Sequence, residues 1–90
     1  MSRVERTVTI ANQRGLHARA SSKFVTLVSE LDTEIQVSRD GQTVAGSSIL
    51  DLMMLGAAMG DTITIAGEGD GAEKAVDRLA ELVESKFGED

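Results

Sequence analysis

Cysteine and proline are both missing from this 90-residue chain, and so are tryptophan and tyrosine. Without cysteine there are no disulfides, no thiolate metal sites and no thiol nucleophiles. That absence fits a reducing compartment, and a cytoplasmic protein is the expectation. Phe24 and Phe87 are the only aromatics, and the formal net charge is −6. A phosphate backbone would be repelled and bases would find little to stack on, so nucleic acid is not an expected partner. No apolar run is long enough to cross a bilayer, since the most apolar stretch, Ile49 to Met59, is short and carries Asp51. The opening MSRVERTV contains no apolar secretory core. There is one histidine, His17. Metal centres usually draw on two or more His or Cys, so no metal and no cofactor is expected.

What remains suits one small domain over residues 1–90, with 41% apolar and 27% charged residues. Val4, Val8 and Ile10 recur with a period of two, which predicts a half-buried strand with Arg6 as the exception. NQRG then supplies turn formers. From Ala18 to Leu31 the apolar positions Ala20, Phe24, Leu27, Val28 and Leu31 form one helical stripe. Ile35 and Val37 alternate again, Asp40-Gly41 marks a hairpin, and QTVA is the return strand. Ser47 or Ser48 can cap a helix of about two turns that starts at Ile49 and ends near Gly56. Ile63 and Ile65 face inward on a fourth strand. A last helix is expected from Asp70, with Glu73 completing a capping box, and with Ala72, Val76, Leu79, Leu82 and Val83 as its apolar stripe. The final GED reads as a frayed end. The order β-α-β-β-α-β-α predicts an α+β fold with helices on one face of an antiparallel sheet.

A lone histidine on a small domain is ordinarily a surface residue. Three neighbours of His17 point elsewhere. Gly15 permits a tight backbone approach. The helix that follows offers unpaired N–H groups near Ala18 and Arg19, an anion site beside the imidazole. Arg19 adds a permanent cation whose fork suits phosphate oxygens. Together they suggest an imidazole that takes up a phosphoryl group. No nucleophile-elbow motif accompanies a serine triad. GEGDG, at 67–71, lacks the Lys-Ser/Thr of a phosphate loop and reads as a solvated turn. Six of the seven residues in ILDLMML are apolar, more than one side of a two-turn helix can bury, so part of it should form an exposed apolar partner site. Two other readings stay open at this point: a ferredoxin-like ligand-binding domain in which His17 is incidental, and a structural interaction module built on the Met-rich helix.

At GLHARA followed by GSSILDLMML, the chain resembles the HPr family, the histidine-containing phosphocarriers of the bacterial phosphotransferase system. The resemblance runs over essentially the whole chain. It implies an open-faced sandwich, a four-stranded antiparallel sheet in the order 1-4-2-3 covered on one face by three helices. It implies that His17 accepts phosphate on Nδ1 from enzyme I and passes it to a IIA-type acceptor of a sugar or nitrogen-type system. The chain would then be a monomeric, stoichiometric carrier rather than an enzyme. Arg19 matches the arginine that attends the phosphate, with the backbone of Ala18 and Arg19 assisting. Ser48 matches a serine that a dedicated kinase/phosphorylase modifies in some members. Docking would use the first two helices, through Ala20, Phe24, Leu27, Ile49, Leu50 and Met53. Two departures stand out: Ala20 replaces a common proline, and Ser47 replaces a basic residue often found before the regulatory serine.

Overall fold

The computed structural model describes residues 3–89. Its elements are β1 (Arg3–Thr9), α1 (Ala18–Leu31), β2 (Ile35–Arg39), β3 (Gln42–Ala45), α2 (Ile49–Met54), β4 (Thr62–Glu68) and α3 (Ala72–Glu84). A 3₁₀ turn at Lys86–Gly88 follows. The four strands form one antiparallel sheet in the order β1-β4-β2-β3, with Val8 opposite Ile63 and Val37 opposite Ile65. Because side chains alternate across a strand, one face carries Val8, Ile35, Val37, Ile63 and Ile65 into the core. The other face is polar, and the hydroxyls of Thr7 and Thr64 lie 2.9 Å apart on it.

The helices close the apolar face. Phe24 and Val28 of α1, Leu52 of α2, and Val76, Leu79 and Val83 of α3 are buried there in one cluster. Arg6, the residue that broke the β1 alternation, reaches the edge of this layer. Its guanidinium lies 3.3 Å from Asp77 and 3.4 Å from Glu84 of α3, so its stem packs inward while its charge stays at the surface. The Asp40-Gly41 turn has positive φ at both residues, 50° and 83°, as a two-residue type I′ hairpin requires.

Two expectations are corrected. Asp70 does not cap α3. The cap is Gly71 with φ 82°, and no side chain bonds to the helix start. Backbone contacts do that work, with Ala72 N–H donating to the Gly69 carbonyl and Ala75 N–H to that of Gly71. Nor does the C-terminal segment fray over Gly88 and Glu89; Asp90 lies outside the described residues. Phe87 is buried in the core, and Lys23 Nζ donates to its carbonyl at 2.7 Å. Lys86 and Phe87 both adopt left-handed backbone, φ 62° and 55°, a conformation that ordinary residues hold only when surroundings enforce it. Burial of the Phe87 ring supplies that enforcement and turns the chain end back towards the start of α1.

Candidate functional site at the start of the first helix

The loop from β1 to α1 is held from two sides. Ile10 exchanges backbone bonds with Asp61 and Gly60. Leu16 is buried, and its N–H donates to the Ala57 carbonyl at 3.0 Å. Gly15 sits between them at φ 64°. The loop therefore delivers His17 to one defined position, the N-cap of α1, with extended backbone.

At that position the His17 carbonyl accepts the first intrahelical bond, from Ser21 N–H at 2.9 Å. His17 Nδ1 accepts a long bond of 3.3 Å from Arg19 N–H. A histidine thus does what Ser or Asp usually does at a cap. Ala20, at the third helical position, precedes that first intrahelical bond, so its N–H is not needed by the helix. Proline and alanine are both compatible with such a place.

The other ring nitrogen is also engaged. His17 Nε2 lies 2.6 Å from Glu89 Oε2, and both side chains are only 17% exposed. Glu89 Oε1 accepts from Asn12 Nδ2 at 3.1 Å, and the same Nδ2 donates to the Gly15 carbonyl at 2.8 Å. The hydrogen bond from His17 holds the Glu89 carboxyl below its usual range, against partial burial and with help from Asn12. Neither Asn12 nor Glu89 stood out in the sequence. Asn12 looked like a turn former, and Glu89 like part of a loose end. The one available signal was Phe87, an aromatic too large to leave in water beside a segment with no helical period.

Arg19 is exposed, and its side chain makes no ion pair among the described residues. With Gln13, Arg14, Lys23, Gly88 and Glu89 it lines an open cavity of about 350 Å³. Three cations and one carboxylate thus line this cavity, and the carboxylate, Glu89, is the one that contacts His17. Of the backbone groups expected to face a phosphate, Ala18 N–H has no partner among the described residues, whereas that of Arg19 is spent on Nδ1 itself.

The apolar surface expected on α2 is present. Ile49 and Met53 are each 40% exposed and Leu50 66%, while Leu52 and Leu55 anchor the helix in the core. Met54 and Met59, at 69% and 57%, extend the patch beyond the residues singled out from sequence. Ser48 caps this helix, accepting from Asp51 N–H at 3.2 Å. Arg39 closes its other end, donating to the Leu55 carbonyl and to Asp61 Oδ2, both at 3.0 Å. The docking role expected of Ala20 and Phe24 is corrected: both are fully buried and offer a partner no surface. Their place on the α1 stripe serves the core instead. Leu27 is half-buried at the groove between α1 and Leu82 of α3.

A four-stranded open-faced sandwich that presents one histidine at a helix start, with an arginine two residues on, is the arrangement expected from the resemblance to the HPr phosphocarriers. The family model described as "PTS HPr component phosphorylation site" matches residues 4–85, and the chain belongs to this HPr/NPr phosphocarrier family of the phosphotransferase system. It is 45% identical to phosphocarrier protein NPr of Shewanella violacea, over 99% of this chain and 98% of that one. It is 40% identical to phosphocarrier protein HPr of Cupriavidus necator, over 96% and 97%. Among solved structures, HPr-C-His from Thermoanaerobacter tengcongensis superposes with a TM-score of 0.91 at 40% identity, covering 97% of this chain and 98% of that one.

Proposed function

We propose that His17 is the phosphoryl-accepting residue, that it takes the group on Nδ1 from charged enzyme I, and that it hands the group to a IIA-type acceptor. The observation that carries this reading is the placement of His17 as the N-cap of α1, with Nδ1 turned towards the helix start and the exposed Arg19 two residues on. In the uptake step the Nδ1 lone pair forms the new P–N bond while the donor's bond to phosphorus breaks. The 3.3 Å contact from Arg19 N–H must open first, and its length makes that opening cheap. The N–H of Ala18, the freed N–H of Arg19, the helix dipole and the Arg19 guanidinium then face the phosphoryl oxygens. In the release step the P–N electron pair returns to Nδ1. The chain supplies position and charge, and each partner completes the reaction centre.

The partners dock on the same side of the molecule. Ile49, Leu50 and Met53, with Leu27 at the margin, form the apolar contact, and Ser48 at the head of α2 is the site at which a kinase would regulate it. Incubation with phosphoenolpyruvate and enzyme I tests the reading. The chain should acquire one phosphate that is labile in acid and stable in base, and His17→Ala should acquire none. An unmodified parent chain, or a labelled His17→Ala, would overturn it.

A further inference from the structure

We infer that Glu89 is a positioning residue that decides which imidazole nitrogen of His17 reacts, by holding the ring proton on Nε2 and covering that nitrogen. The inference concerns the same histidine as the proposed function and rests on that reading for its biological meaning.

The geometry is specific. A carboxylate accepts and does not donate when ionised, so the 2.6 Å contact places a proton on His17 Nε2. In the neutral ring that proton leaves the lone pair on Nδ1. The Arg19 N–H contact to Nδ1 favours the same tautomer, but it must break as Nδ1 begins to react. From that moment Glu89 alone holds the proton. Glu89 also blocks Nε2 sterically, since no phosphorus atom can approach a nitrogen already 2.6 Å from an oxygen.

The carboxylate is built in, not a passing surface contact. Asn12 is fully buried and its amide orientation is set by two donations from Nδ2, to Gly15 and to Glu89. That orientation leaves Asn12 Oδ1 buried without a donor. Turning the amide over would pair Oδ1 with neither acceptor, so the structure tolerates one orphaned oxygen to keep a donor on Glu89. On the other side, the buried Phe87 ring, the Lys23 bond to its carbonyl and two left-handed residues hold the segment that delivers Glu89. The order Asn12, Glu89, His17 thus has the logic of an acid that orients and tautomerises an imidazole.

The test uses a small donor, so that it does not depend on any protein partner. Phosphoramidate transfers its phosphoryl group to imidazole: the donor P–N bond breaks, a P–N bond forms on the ring, and ammonia leaves after taking a proton. The linkage is then assigned to Nδ1 or Nε2 by nitrogen-15 and phosphorus-31 NMR. In the parent chain the product should be the Nδ1 isomer. In Glu89→Ala the Nε2 isomer should rise about fivefold or more, as expected for losing one charge-assisted hydrogen bond and its steric cover. Glu89→Gln, whose amide oxygen still accepts from Nε2, should restore part of the Nδ1 preference. Thermal midpoints of the three proteins identify any general loosening, which would not be rescued by the amide. An isomer ratio in Glu89→Ala equal to that of the parent overturns the inference, as does a parent chain that is modified mainly on Nε2. Failure of the parent to take phosphate from charged enzyme I would instead overturn the proposed function and leave this outcome readable.

Discussion

Gly15 is packed against Ala57 so closely that a Cβ there would collide with the Ala57 carbonyl and lie 2.9 Å from the Ala58 Cα. The β1–α1 loop and the α2–β4 loop are therefore one packed unit, joined also by the Leu16 N–H bond to the same carbonyl. The histidine and the helix that carries the exposed apolar patch are positioned by a shared backbone contact rather than by separate loops.

Gly15→Ala should destabilise the chain by about 2 kcal/mol or more, because it combines a side chain at φ 64° with a backbone collision. Denaturant titration checks the figure. An Ala variant as stable as the parent would show that the two loops separate freely.

Arg19→Ala should slow both phosphate uptake and release at least about tenfold, a loss of roughly 1.4 kcal/mol in each transition state. Stability should hardly change, since the guanidinium makes no ion pair among the described residues and only its backbone N–H reaches His17. Rapid-quench measurements with each partner separate the two steps. Parent-like rates in both would reduce Arg19 to a solvated charge.

Glu89 gives the fold a pH signature. Its native carboxyl is held below the ordinary carboxylate value of about 4.5, first by the His17 hydrogen bond. A lowered native value means that its contribution is fully present above the unfolded value and is lost as pH falls through the native one. The thermal midpoint of Glu89→Gln should therefore lie below that of the parent near pH 6, and the two should converge well below pH 4.5. A gap that persists in strong acid would mean that the carboxylate charge is not what stabilises the C-terminal segment.

Much of this arrangement is legible in the residues alone. The strand alternation, the α1 stripe and the Asp40-Gly41 hairpin follow from local period and turn chemistry and lie where they were expected, and of the two serines that could cap α2 the structure uses Ser48. Gly15, His17 and Arg19 announce themselves because they are neighbours in sequence. Glu89 does not, because it meets His17, 72 positions earlier in the chain, only after the sheet and α3 have folded, and Asn12 does not, because its partner at the site is that same distant Glu89. The α3 start was misread for a related reason. Asp70 and Glu73 have the spacing of a capping box, but a Gly69–Gly71 turn supplies the backbone partners and leaves the Asp side chain unused. Ala20 and Phe24 share a helix with the site, and only the packed core shows that their face points away from any partner.

Ser48→Asp should keep or raise the thermal midpoint while slowing phosphorylation of His17 by enzyme I about tenfold, roughly 1.4 kcal/mol of docking energy. Aspartate caps a helix as well as serine does, and a negative charge at a helix start is favourable. A partner surface made for Ile49, Leu50 and Met53 would have to desolvate that charge beside them. A stable variant charged at the parent rate would place the docking surface elsewhere.

The central claim is that this chain relays a phosphoryl group rather than merely receiving one. The direct measurement is a single-turnover transfer. The chain is charged with labelled phosphate, freed of enzyme I and phosphoenolpyruvate, and mixed with a IIA-type acceptor. The account predicts that label leaves His17 and appears on the acceptor in equal amount, with neither the donor enzyme nor phosphoenolpyruvate present. Label that stays on the chain, or that is lost to water without reaching the acceptor, would contradict it.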